Sequence, residues 1–345
     1  MRVYLFMDMT AKKDRPAEGR FLATVKAGGW VLFSLLVFML SGCDSGDSNP
    51  SGESANATVA AASAKTDLDA WLRQMITDHG LTGDPATPRE LKQTVPAADP
   101  KIKLGQLLFF SHTLSGDLTV SCATCHHPDF GGSDELSIGV GVAPNDAAKV
   151  GPSRILDPSK DLDPAADGKP NMHRNSQTVF NSAMFDRSMT FDGRIFVLDK
   201  DTVPGGLGQS IRTPESGNLS DGSAADGLME GFSKFPLTNH NEMRAYLFSS
   251  LSQEAYREHL VARLRGEVDS DMLNDQGSRN WLRLFRDAFG DEHDDAQSLI
   301  TLVNVQRAMA AYMKSMIFID SPWKQYVDGD SAAISIAAKR GAKLF

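Results

Sequence analysis

Ser121-Cys122-Ala123-Thr124-Cys125-His126 sets two thiols three positions apart and places an imidazole directly after the second. This is the C-x-x-C-H pattern by which haem is covalently attached. Each thiol would bond a vinyl-derived carbon of one porphyrin, and His126 would lie beneath the iron as proximal ligand. Three other uses compete. Structural zinc asks for four ligands, commonly two C-x-x-C pairs or a distant H-x-x-x-H, and neither is present. A thioredoxin-like redox pair normally sits in a strand-to-helix turn of an α/β domain, whereas the flanks here are polar and glycine-rich. A plain disulfide would close a very short loop and leave His126 without a role.

Upstream, Lys12, Lys13, Arg15, Arg20 and Lys26 precede an apolar run from Trp30 to Leu40, followed at once by Ser41-Gly42-Cys43. The run is too short to cross a bilayer comfortably and ends in small residues, which reads as an export signal over 1–42. Leu40-Ser41-Gly42-Cys43 also resembles the lipobox of bacterial lipoproteins. That implies cleavage before Cys43, lipid on its thiol, and a location on the periplasmic face of the cell envelope. Residues 43–66 carry almost no large apolar side chains and read as a flexible tether.

The whole chain has a formal charge of −9. Without residues 1–42 it keeps 29 basic against 41 acidic residues, a formal −12, so nucleic acid is excluded as a partner class. A basic electron-donor protein would be steered toward such a surface.

Apolar residues recur at helical spacing at Leu68, Trp71, Leu72, Met75 and Ile76, and at Leu104, Leu107 and Leu108. Further stripes follow at Leu251, Ala255, Tyr256, Leu260, Val261 and Leu264, and from Trp281 to Phe289 with Gly290 as the stop. The longest pattern predicts one helix over 294–316, with Leu299, Leu302, Val303, Met309, Tyr312 and Met313 inward. Met309, Met313 and Met316 read as core filling rather than iron ligands. Ser137 to Pro170 is rich in Gly, Pro and Asp and reads as irregular chain over a cofactor. The class is mainly α: a cytochrome c-like haem domain with long irregular loops over 67–330. Lys103-Leu-Gly-Gln-Leu-Leu-Phe109 is echoed by Lys339-Arg-Gly-Ala-Lys-Leu-Phe345, so 331–345 reads as the start of a second, truncated haem domain.

Several stretches in order resemble the bacterial di-haem cytochrome c peroxidase and MauG family. They are Leu104 to Phe109, Leu114-Ser115-Gly116-Asp117, Ser121 to His126, Arg174-Asn175-Ser176, Asp192-Gly193-Arg194 and Glu242-Met243, with Ser321-Pro322-Trp323 and Gly329-Asp330 resembling its inter-domain segment. The resemblance covers about residues 95–345 and implies an N-terminal, peroxide-meeting haem lobe. In a full-length protein a second haem c would be expected.

The resemblance implies that Cys122 and Cys125 hold one haem c and that His126 ligates its iron. Glu242 matches the distal carboxylate that shuttles a proton while the O–O bond breaks, a task suited to a positioned carboxylate. Arg174 resembles a haem-propionate partner, with an ordinary surface ion pair as the alternative. Asn175 resembles a calcium ligand between the lobes, or it braces a turn.

Ser137-Ile138-Gly139-Val140-Gly141 puts Val140 where many members have a distal His, which implies an open sixth position on the iron. Phe191 stands where a Trp often precedes Asp-Gly-Arg, and an expected Gln is replaced near Phe232. His127 reads as a surface or propionate-side residue, while His173 and His240 rank below Glu242 as pocket residues.

The function implied is a peroxidase that reduces hydrogen peroxide, or spends it to oxidise a partner protein, with electrons from a small cytochrome c or cupredoxin. The alternatives are a mono-haem electron carrier and an inactive fragment of a di-haem peroxidase.

Overall fold

The computed structural model describes residues 68–84, 96–170, 172, 174–185, 187–198, 210–217, 219–224, 226–269, 280–290 and 293–345. The export segment, Cys43, the tether and His173 lie outside them. Among the described residues ten α-helices run in order: α1 (68–78), α2 (Pro100–Phe109), α3 (Cys122–Cys125), α4 (Leu228–Lys234), α5 (Gln253–Arg265), α6 (Trp281–Phe289), α7 (Ala296–Leu299), α8 (Leu302–Ser315), α9 (Pro322–Val327) and α10 (Ile336–Leu344). Among the described residues there is also one small antiparallel sheet, β1 (Ser188–Met189), β2 (Ile195–Val197) and β3 (Ile211–Arg212), in the order β1-β2-β3. Strands of two or three residues show no readable period, so the sequence gives no sign of this sheet. The class is mainly α.

The core is built on α2 against α8. Asp99 starts α2 by accepting the Lys101 amide at 2.9 Å, with Pro100 at the first helical position, where a missing N–H costs nothing. Leu104, Leu108 and Phe109 are buried on the face turned to α8, and the Phe109 ring meets Tyr312 edge-on at 5.2 Å. Gly105 allows the contact, because a Cβ there would sit 1.9 Å from the Ala308 carbonyl oxygen. Gly105→Ala gains about 1 kcal/mol of helix propensity but forces the helices apart. Overpacking of this kind costs roughly 1–3 kcal/mol or more. The expected result is a net loss of about 2 kcal/mol, visible as a fall of several degrees in the thermal melt followed by circular dichroism.

The single helix predicted over 294–316 is two. Asp295 caps α7, and Thr301 accepts the Asn304 amide at 3.2 Å to cap α8, with buried Ile300 at the break. Apolar spacing continues across the interruption, so periodicity hides it, and Val303 falls on the exposed side rather than inward. Ala255 likewise faces solvent, while Tyr256, Leu260, Val261 and Leu264 of α5 enter the core.

Fully buried Arg263 joins α5 to the turn before the haem-type motif. It donates to the carbonyls of Thr113 at 2.9 Å and Ser115 at 2.6 Å, and pairs with Asp269 at 2.8 Å. A second buried charge group, Lys234 with Asp221 at 2.6 Å and Arg257 with Glu215, fixes the end of α4.

Helices α1, α9 and α10 form a satellite cluster around Tyr326. Its hydroxyl donates to Asp69 at 2.8 Å, and buried Lys339 pairs with the same carboxylate at 2.6 Å. The two copies of the sequence echo are both helical. Gly105 of α2 is pressed on α8, whereas a Cβ at Gly341 of α10 would meet nothing within 4 Å. No helix among the described residues is long and apolar enough to cross a membrane.

Candidate functional site

One helical turn presents the two thiols. The Ser121 amide donates to Thr124 Oγ1 at 2.9 Å, closing the N-terminus of α3, while Ala123 packs into the core. The two residues between the cysteines therefore hold the turn, and Cys122 and Cys125 share a face at the i, i+3 spacing. Both thiols are free and line a cavity of about 390 Å³. Burial pushes each of them up to about 12. A redox-active pair needs the opposite shift, because the thiolate is the nucleophile. Among the described residues no group of three or more His, Cys, Asp or Glu side chains gathers to hold an ion.

His126 lines the same cavity, and its Nδ1 lies 2.9 Å from the Gln177 carbonyl oxygen. A carbonyl can only accept, so Nδ1 carries the hydrogen and Nε2 keeps a free lone pair. That is the tautomer a metal-ligating imidazole needs.

Glu242 also lines the cavity. It sits in a single π-helical turn, His240–Arg244. Asn239 governs this turn: its Oδ1 accepts the amides of Asn241 at 3.0 Å and Glu242 at 3.2 Å, and its Nδ2 donates to Glu242 Oε1 at 3.0 Å. The Gly116 amide binds the Met243 carbonyl at 2.8 Å from one side. From the other, Gly141 lies so close that a Cβ would be 2.0 Å from the Asn241 oxygen, and the Val142 amide donates to that oxygen at 3.3 Å. Ala245 leaves the turn at φ +57°, ψ −174°, a conformation costing on the order of 1–3 kcal/mol for a residue with a side chain. Burial pushes the Glu242 carboxyl up to about 7, with Arg194 pulling weakly the other way.

The remaining walls are largely apolar: Phe109, Val120, Val179, Phe232, Phe235, Pro236 and four methionines, Met172, Met243, Met309 and Met313. Arg174, Asn175 and Arg194 add polar groups. The Arg174 guanidinium stacks 4.0 Å over the Phe191 ring, and Arg194 forks onto Asp192. A flat apolar group with two carboxylates matches this lining: thiols and imidazole together, apolar walls around them, guanidinium groups for the acids.

Not every expected residue reaches the cavity. His240 is not a pocket residue: its Nδ1 is bonded to the Ala245 carbonyl at 2.8 Å, its ring stacks on Tyr246 at 4.7 Å, and it serves the turn that carries Glu242. Val140 is buried outside the cavity lining, where it contributes its carbonyl to Arg154. His127 accepts the Asp129 amide at 3.2 Å and also stays out of the lining. Met309 and Met313 line the cavity, while Met316 lies in the core.

Arg154, like Asn239, is a residue that sequence reasoning missed. It is buried and donates to the carbonyls of Val140, Gly141, Thr119 and Lys149 at 2.8, 2.5, 3.1 and 3.1 Å. It thereby fixes the segment that backs Asn241. A lone Arg in a polar loop carries no sequence signal, since its partners are all backbone. Arg154→Ala strips these carbonyls of their donor and is expected to cost about 3 kcal/mol or more. Faster hydrogen exchange at the Val142 amide, which is bonded to Asn241, would report the loosened turn.

Residues 99–332 match the family model described as di-haem cytochrome c peroxidase. The methylamine utilization protein MauG of Methylorubrum extorquens is 26% identical over 72% of this chain and 47% of its own length. The cytochrome c551 peroxidase of Pseudomonas aeruginosa is 25% identical over 72% of this chain and 49% of its own. A crystallised MauG-like protein associated with microbial copper homeostasis is 20% identical over 72% of this chain and 49% of that one, with a TM-score of 0.41. The chain thus spans about half the length of the curated relatives it matches. With the family model spanning the segments that carry both the paired thiols and Glu242, the chain belongs to the di-haem cytochrome c peroxidase family.

Proposed function

We propose that the cavity takes one haem c and that the chain is the peroxide-meeting lobe of a cytochrome c peroxidase. It would reduce hydrogen peroxide, or spend it to oxidise a partner protein, at the periplasmic face of the cell envelope, lipid-anchored through Cys43. The observation that carries this reading is that Cys122, Cys125, His126 and a Glu242 carboxyl raised to about 7 all line one apolar cavity. When bound, the haem would supply an iron that binds peroxide and stores oxidising equivalents.

The protein's own share is positioning and proton movement. Cys122 and Cys125 Sγ would hold the porphyrin, and His126 Nε2, its lone pair left free by the Nδ1 bond, would serve as iron ligand. Arg174 and Arg194 line the cavity where the propionates would lie, Arg194 while paired with Asp192. Glu242 Oε1 is held by Asn239, so Oε2 is the oxygen free to take a proton from peroxide and return it to the departing oxygen. Phe232, Phe235 and Pro236 keep the walls apolar and limit water. Overall, two electrons and two protons convert one peroxide to two waters, with the electrons from a small cytochrome c or cupredoxin. Asn175, which also lines the cavity, would offer a carbonyl oxygen for calcium.

The test is to mature the chain in a host that ligates haem and record its spectrum and its reaction with peroxide. A ferric high-spin haem that reacts with peroxide supports the reading, and a low-spin haem inert to peroxide overturns it in favour of an electron carrier. Because Glu242 acts first as a base, the rate should rise with pH through about 7 as the carboxyl ionises. A profile flat between pH 5 and pH 8 would count against that role.

A further inference from the structure

We infer that Asp134 sets the reduction potential of the haem iron, acting as a buried carboxylate behind His126. The inference rests on the haem reading above and concerns a residue outside the cavity lining. Asp134 is only 1% exposed. Its Oδ2 accepts the Ser176 hydroxyl at 3.1 Å and its Oδ1 accepts the Leu136 amide at 3.1 Å.

The next residue after Ser176 supplies the carbonyl that receives His126 Nδ1. The same segment is pinned again where Ser133 Oγ donates to the Ser176 carbonyl at 2.6 Å and the Val179 amide donates to the Gly132 carbonyl at 3.1 Å. Asp134 is thus tied through one hydroxyl to the strand of chain that orients the imidazole. Ser176 itself lines the cavity, so the Asp134 carboxylate stands one side chain behind its wall.

The turn at Asp134 requires only an acceptor oxygen, which Asn would supply at the same size. A carboxylate buried among neutral donors is costly unless its charge is used. One side chain behind a bound haem, that charge would favour the more positive ferric iron over the ferrous form and lower the potential. A lower potential favours the state that meets peroxide. Asp134 is therefore a positioning and potential-setting residue, not a catalytic one.

The experiment is a potentiometric titration of the haem-loaded chain and its Asp134→Asn and Ser176→Ala variants. Asp134→Asn keeps the shape and removes the charge. It is expected to shift the reduction equilibrium toward ferrous iron at least tenfold, about 59 mV for one electron. Ser176→Ala cuts the tie but keeps the charge, and is expected to move the potential less than a third as far.

An unchanged potential in Asp134→Asn overturns the inference, as does an equal shift in Ser176→Ala, which would assign the effect to geometry. If Asp134→Asn carries no haem, Asp134→Ser is titrated under the same criterion. If that variant is also empty, the residue is structural and the inference fails. A wild-type chain without covalent haem overturns the haem reading and this inference with it. A loaded wild type with an unresponsive Asp134→Asn overturns the inference alone.

Discussion

Glu242→Gln should slow peroxide consumption by about 10²–10⁴-fold, the range a positioned acid–base group contributes, while leaving haem content unchanged. The substitution is close to isosteric. The Gln carbonyl oxygen can still accept from Asn239 Nδ2, so the turn between Gly116 and Gly141 should keep its shape. What disappears is the capacity of Oε2 to hold a proton. The carboxyl is already pushed up to about 7 by burial, so in wild type both protonation states are accessible near neutral pH. That is the condition for taking a proton and giving it back within one turnover. In the variant the rise in rate through pH 7 should vanish together with the rate itself. Stopped-flow measurement of peroxide loss, with haem absorbance as the loading control, checks both. Turnover equal to wild type would remove Glu242 from the chemistry.

The site was legible in the sequence where its parts are local. Two thiols and an imidazole within five residues declare themselves, because a single turn of helix fixes their relation. Glu242 needed the family resemblance as well, since its neighbours in the fold, Gly116 and Gly141, are more than a hundred residues away in the chain. Arg154 and Asp134 were out of reach for a different reason. Both act through backbone carbonyls, amides and one hydroxyl, and such partners leave no trace in residue identities. His240 misled in the opposite direction. It lies two residues from Glu242, yet its ring is spent on the strained exit at Ala245 and on stacking with Tyr246. The helix pattern shows the same division. Asp99-Pro100 marks the start of α2 plainly, but the Thr301 cap between α7 and α8 is masked by apolar residues that stay buried through the break.

Replacing both Cys122 and Cys125 by Ser should abolish covalent haem altogether. Serine hydroxyls do not form the thioether, and His126 alone would hold a haem only as a dissociable ligand. The consequence extends to the fold. At roughly 24 cal/mol per Å³ of residual cavity volume, 390 Å³ left unfilled corresponds to about 9 kcal/mol as an upper bound, since water can enter at the mouth. Native domains have about 5–15 kcal/mol to lose. The double variant should therefore lack the haem mass and also melt at much lower temperature, with Phe109, Phe232 and Met309 exposed to solvent in the emptied site. A single Cys125→Ser variant keeps one thioether and should sit between the two. Intact-mass analysis of material from a haem-ligating host measures attachment, and a dye that binds exposed apolar surface measures the collapse. Covalent haem retained in the double variant would show that these thiols do not hold the cofactor. Unchanged stability without haem would show that the cavity does not depend on it.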